Sequence, residues 1–244
     1  MAVFLCLYYN YIIGVNMKVE FNSLHWDNVD KGMLSAHQRV MEHFDIPMNY
    51  HNRDGLNHGI WMQQVIGRSN SDVIVIIEPD CIVLDKERVL NYIKYAYHNE
   101  TFVGIAQVSN HIHPKSHIYA APGFYVMSSK AYSKLGRPSF TEERNSDTAE
   151  AVCYLAEDRG MRYRSLMPTY FEKESSEGLW PLGSLGYYGI GTVFDNSVYH
   201  LYQSRMAENI ELFVKRCDEV INGTFTTDGF YSSTTFKYKG KIVS

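Results

Sequence analysis

The chain has 244 residues and a mass of 28.2 kDa, enough to bury roughly 70% of its unfolded surface around a single core. Hydrophobic residues make up 45% and charged residues 20%, which argues against a disordered chain, a collagen-like repeat or a coiled coil. With 23 basic against 27 acidic residues the net charge is −4, so bulk electrostatics would not hold nucleic acid, although a locally held nucleic-acid substrate stays open.

Aromatics reach 14%, with 19 Tyr; such residues line sites for flat or polyhydroxylated ligands and, more often, fill cores. Cys6, Cys81, Cys153 and Cys217 show no C-x-x-C spacing, which fits a reducing compartment and opposes a disulfide framework or a Cys-rich zinc site. Residues 2–15 are apolar but have no basic start and are interrupted by Asn10. They read as a buried strand, or as an extension before a start at Met17, and neither a signal peptide nor a membrane span is expected.

From Met17 strand and helix signals alternate. Residues 18–24 alternate as a strand, and 31–44 place Met33, Leu34, Val40, Met41 and Phe44 at helical spacing. A short strand at 46–51 is closed by the turn residues 52–55, and a helix over 56–68 carries an apolar stripe through Ile60, Trp61 and Val65. Residues 72–77, DVIVII, are the central buried strand of a parallel sheet. Downstream, helices are expected at 84–99, 130–135 and 148–159, and strands at 102–108 and 121–127. The Gly- and aromatic-rich stretch 172–192 reads as a long functional loop. The alternation predicts an α/β fold with a mainly parallel, doubly wound sheet flanked by helices, whose ligands bind outside the carboxyl ends of the strands.

Glu78-Pro79-Asp80 falls at such an end. Two carboxylates one residue apart raise each other's pKa unless a cation neutralises them, and Mg²⁺ or Mn²⁺ shared with substrate phosphates meets that need. A polar turn capping the next helix is the alternative. His111, His113 and His117 match no specific zinc spacing and read as a solvated or acceptor-side loop. The chain lacks a phosphate-loop motif, a G-x-S-x-G elbow and H-E-x-x-H, and Gly189-Ile190-Gly191 lacks the third glycine of a dinucleotide fingerprint.

The order of elements leading into VIVIIEPDCIVL resembles the nucleotide-binding half of GT-A fold glycosyltransferases, which carry an acidic-x-acidic motif after such a strand. The later segments YAAPGFYVMSS, AYSKLGRPSF and Ser146-Asp147 are similar to the second half of those enzymes. The resemblance covers residues 17–205 and implies a nucleotide-sugar-binding half (17–110), an acceptor and catalytic half (111–205) and a C-terminal helix and tail (206–244). It assigns the metal, Mn²⁺ or Mg²⁺, to Asp80 and His200, an assisting donor role to Glu78, donor contacts to Trp180 and Arg205, and the general base to Asp147, placed at a helix N-terminus where the dipole favours its charge. The family usually has Asp where Glu78 stands, and an acid where Ser146 stands. A small-residue loop at 119–129 would floor the site, and Trp180, Gly183, Gly186, Tyr187, Tyr188, Gly189 and Gly191 would form a lid.

The function this resemblance implies is that of a metal-dependent glycosyltransferase using a nucleotide sugar, UDP-linked by expectation, as donor, with a cytoplasmic location, the host's if the chain is viral. The acceptor would be a glycan, a protein or a nucleobase hydroxyl. A weaker similarity points to phage transferases that modify 5-hydroxymethylcytosine in DNA, with Lys115, Lys130, Lys134 and Arg137 on phosphate and the base flipped out. A nucleotidyltransferase and a non-catalytic glycan- or nucleotide-binding module are the alternatives.

Overall fold

The computed structural model describes residues 17–109, 117–173 and 178–237. Residues 2–15, together with His111, His113 and Lys115, lie outside the described residues.

The first strand, β1 (Val19–His25), leads to α1 (Lys31–His43), whose start is capped by Asp30 accepting the Met33 N–H at 2.9 Å. β2 (Met48–Asn52) and α2 (His58–Arg68) come next, then β3 (Val73–Ile77), all five of whose residues are buried. A tight turn carries the chain into β4 (Cys81–Val83), succeeded by α3 (Lys86–Asn99), β5 (Phe102–Val108) and β6 (Ile118–Ser128). Two short helices, α4 (Ser129–Lys134) and α5 (Glu150–Asp158), precede β7 (Arg164–Leu166).

These strands build a sheet in the order β2-β1-β3-β6-β5-β7. β1 pairs in parallel with β2 and β3, and β5 with β7, while β6 runs antiparallel between β3 and β5. Helix α2 packs on β1, α3 on β3, β5 and β6, and α4 and α5 on β6. The α/β expectation holds: a parallel-rich sheet lies among flanking helices. Its central strand is hydrophobic throughout because both faces are covered, which removes the alternation a half-exposed strand would show.

The remaining strands are β8 (Pro168–Lys173), β9 (Leu179–Pro181), β10 (Tyr187–Phe194), β11 (Val198–His200) and β12 (Tyr231–Ser232), with α6 (Ala207–Ile221) packed against α1. They form a second, antiparallel sheet in the order β12-β8-β10-β11-β4, with β9 on β10. The loop and lid expected over 172–192 are therefore corrected. Most of that stretch is sheet, with Leu182, Tyr188 and Ile190 buried, and β10 is covered on both faces, so no polar alternation announces it. Gly191, one of the residues expected in the lid, sits inside β10 at φ +70°, where a Cβ would lie 2.7 Å from the Tyr199 hydroxyl; it serves packing.

Two further boundaries differ. The strand expected at 121–127 is present as part of β6, so 119–128 is not the small-residue loop that the resemblance implies, and Pro122, which has no N–H to give, falls where the β5–β6 register shifts. Helix α5 starts at Glu150, with Ala149 at the N-cap in a left-handed conformation, so Asp147 precedes the helix and is not its cap. Cys81, Cys153 and Cys217 are buried free thiols. No helix of the described residues is long and apolar enough to cross a membrane.

Candidate metal centre

The turn after β3 is built by its own sequence. Pro79 fixes the second position, and the Cys81 N–H donates to the Glu78 carbonyl at 2.9 Å, closing a four-residue turn. On one side the Glu78 N–H donates to the Gly123 carbonyl of β6 at 3.0 Å, and on the other the Leu201 N–H donates to the Asp80 carbonyl at 2.9 Å. Pairing of β4 with β11 sets His200 opposite Cys81. Three ligand-type side chains thereby converge: His200 Nε2 lies 3.4 Å from Asp80 Oδ1 and 3.5 Å from Glu78 Oε2, and one ligand atom from each residue falls within 4.8 Å of the other two.

Gly123 makes room for this. A Cβ there would stand 2.8 Å from His200 Cδ2 and 2.9 Å from Nε2, so only glycine lets β6 pass behind the imidazole.

The polar accounting is unbalanced. Asp80 Oδ1 and both ring nitrogens of His200 are buried with no hydrogen-bond partner, because at 3.4–3.5 Å the contacts are charge contacts rather than well-formed hydrogen bonds. Burial works against ionisation of His200, yet attraction to Asp80 and then Glu78 outweighs it and raises its pKa to about 9. Burial would also raise Asp80, but the His200 charge and the Ser204 hydroxyl hold its carboxyl below the ordinary range. His37, buried behind the turn and bonded to the Tyr50 hydroxyl at 2.9 Å, shows the opposite balance: desolvation defeats the pull of Asp80 and lowers its pKa to about 4.

Outside this cluster a cavity of about 430 Å³ is walled by Trp26, Asn28, Asp30, His58, Glu78, Asp80, Ser204 and Arg205, among others. Of the residues singled out in the sequence, Glu78, Asp80 and Arg205 face this cavity and His200 stands directly behind the two acids. Trp180 is not on its wall. It stacks on Tyr188 at 5.3 Å and meets Tyr202 at 5.0 Å, and Tyr202 in turn packs edge-on against His200 at 4.4 Å. Asp147 belongs to a neighbouring corner, where its charge adds to the burial that raises the Tyr119 and Tyr188 phenols. Lys130 and Lys134, expected on phosphate, both pair with Glu100.

His58, not anticipated, is the first residue of α2 and its Nδ1 lies 3.2 Å from Glu78 Oε1, so Glu78 is held between two imidazoles. The ring is fixed by stacking on Trp61 at 5.8 Å and by the edge of Trp26 at 6.4 Å. Its position after β2, at the carboxyl end of a parallel strand, is the signal that could have found it. Glu150 was also missed: wholly buried, it accepts the Asp147 N–H at 2.8 Å and lies 2.6 Å from His117 Nδ1.

The donor set, two carboxylates and an imidazole with orphaned buried atoms, suits a divalent cation completed by ligand oxygens.

No protein-family model matches the chain, and no curated protein matches it. Among solved structures it is similar to a protein assigned as a glucose-1-phosphate thymidylyltransferase from Bacillus anthracis, in complex with sucrose, at 13% identity and TM-score 0.41, covering 61% of this chain and 86% of that one. It is also similar to a CMP:2-keto-3-deoxy-manno-octonic acid synthetase in complex with CTP, at 8% identity and TM-score 0.40, covering 62% and 89%. A Drosophila beta-1,4-galactosyltransferase 7 in complex with manganese, UDP-Gal and xylobiose matches at 12% identity and TM-score 0.37, covering 59% and 64%. At such scores these likenesses carry nothing about activity, which rests on the geometry of the site.

Proposed function

We propose that the chain is a metal-dependent glycosyltransferase of the GT-A type that moves a sugar from a nucleotide sugar, a UDP sugar first, to a hydroxyl acceptor. One observation carries this reading: Asp80 Oδ1 and both nitrogens of His200 are buried without a hydrogen bond, directly behind the wall of a cavity to which Glu78, Asp80 and Arg205 are presented. Each such orphan costs about 1–3 kcal/mol in the absence of a ligand.

Asp80 and His200 would hold Mg²⁺ or Mn²⁺, with Glu78 kept beside them by His58. A bound ion there supplies charge compensation for a departing diphosphate. The guanidinium of Arg205 faces the same cavity and binds phosphate oxygens. Trp26, Leu24 and Val29 give that cavity an apolar wall for the nucleoside. Asp147, half-buried and outside the helix, accepts the proton of the attacking hydroxyl. That hydroxyl belongs to a glycan or to a modified base such as 5-hydroxymethylcytosine.

The test is a thermal-shift screen of nucleotide sugars with and without Mn²⁺, since a ligand of the native state raises the melting temperature, together with product analysis on glycan and hydroxymethylated DNA acceptors. Metal-dependent stabilisation and release of free nucleoside diphosphate are expected. Release of pyrophosphate would make the chain a nucleotidyltransferase, and full activity in excess EDTA would remove the metal from the account.

A further inference from the structure

A second recess, of about 500 Å³, opens against the other side of α2. Trp61, Gln64, Val65 and Arg68, at helical spacing, make one wall; Glu20 and His51 come from β1 and β2, and Arg53, Lys18 and the turn Ser69-Asn70-Ser71 close it.

Its lining gathers three cations in one place. Arg39, Arg88, Arg164 and Arg216 each sit on a carboxylate, whereas Lys18, Arg53 and Arg68 have no acidic partner within ion-pair distance among the described residues. Among those residues the Arg53 guanidinium donates only to the neighbouring Asn52 carbonyl, at 3.1 Å. The lone acid of the recess, Glu20, already accepts from the Ser69 hydroxyl at 2.5 Å through Oε2. Three uncommitted cations around one acid, on a chain of net charge −4, make a local positive basin.

We propose that this recess binds a small phosphate monoester, with the phosphate among Lys18, Arg53 and Arg68 and the ligand's hydroxyls against Glu20 and Gln64. Guanidinium forks match phosphate oxygens in pairs. The volume suits a small ligand, for which pockets of about 300–1,000 Å³ are usual. A recess of this size that also holds an acid, on an acidic chain, favours a compact polyol phosphate over the long backbone of a nucleic acid. The site also adjoins the metal centre: Trp61 meets His51 at 5.5 Å on one side and stacks on His58 on the other, so an occupant beside His51 is two ring contacts from Glu78.

The assignment does not depend on the metal reading and is tested apart from it, by calorimetric titration of glucose 6-phosphate into the full chain at low salt. Saturable 1:1 binding is expected, weakened at least about tenfold by Arg53→Ala or Arg68→Ala, the loss of one charge-assisted contact. Both residues are exposed, so the fold is retained. Arg205→Ala should leave the titration unchanged, and Mn²⁺ binding should be the same in wild type and in the Arg53 and Arg68 variants. Absence of binding at millimolar ligand, indifference to both arginine variants, or loss on Arg205→Ala would each overturn the proposal. Equal affinity for inorganic phosphate would overturn the monoester assignment, and tighter binding of a short DNA duplex through the same arginines would replace it with a nucleic-acid contact.

Discussion

Two corners of the molecule use the same chemistry, a histidine between two carboxylates, and end in opposite states. At the first, Asp80 and Glu78 both approach one nitrogen of His200, at 3.4 and 3.5 Å, and the other nitrogen has no partner. At the second, His117 gives each nitrogen its own acid, Glu150 at 2.6 Å and Glu157 at 3.2 Å, and stacks on Tyr154 at 4.0 Å. The buried Glu150 there also takes the Asp147 N–H and the Tyr154 hydroxyl. Residue type therefore does not separate a site from a structural clasp. Unspent valence beside a cavity does.

The largest expected effect is on the chemistry of the first corner. Asp80→Asn keeps the shape but loses the charge, and nucleotide-sugar turnover should fall by about a hundred- to a thousandfold; steady-state kinetics check this, with a thermal melt to establish that the variant is folded at the assay temperature, and retained Mn²⁺ affinity would erase the contrast. Glu150→Ala attacks the second corner, where stripping one partner from a buried pair costs about 3–5 kcal/mol. Urea unfolding should show that loss while Mn²⁺ affinity of the folded fraction stays unchanged.

Gly123→Ala drives a methyl into the His200 ring and should cost about 1–3 kcal/mol by overpacking, with Mn²⁺ affinity falling alongside, read by calorimetry. His58→Ala should lower Mn²⁺ affinity about 10–100-fold, the usual effect of losing the partner that orients a ligand. His58→Asn, which can still offer an N–H near Nδ1, should recover part of it.

The smallest effect is one of pH. Burial lowers the His117 pKa, but its hydrogen bonds to Glu150 and Glu157 outweigh that and raise it above the ordinary value. Its folded value exceeds its unfolded value of about 6.5, so the stabilisation is complete below that pH and is lost as pH rises through the raised value. His117→Gln should flatten this slope in melts taken across neutral to alkaline pH, and an unchanged slope would assign it elsewhere.

Much of the fold was legible in the residues themselves. The run Val73–Ile77 and the acidic pair after it announced a buried strand with charges at its carboxyl end, and the helices fell within two residues of their observed bounds. His200 could be suspected only through a resemblance, because its approach to Asp80 depends on a strand pairing across more than a hundred residues. The second sheet was hidden because Tyr187–Phe194 mixes glycines with residues buried on both faces. The residues after Asp147 favour a helix that begins directly behind it, whereas the left-handed turn at Ala149 delays the start. Glu150 lacks any local mark, and His58 has only its place after a strand: what distinguishes both is the company the fold brings.

The turn Glu78–Cys81 is also where the chain leaves one sheet for the other, with Glu78 at the end of β3 and His200 on β11. A cation gripped there would act as a rivet between the two sheets. Loading it should slow amide exchange in β10 and β11 as well as in the turn, so that binding the ion and fastening the two sheets to each other become one event.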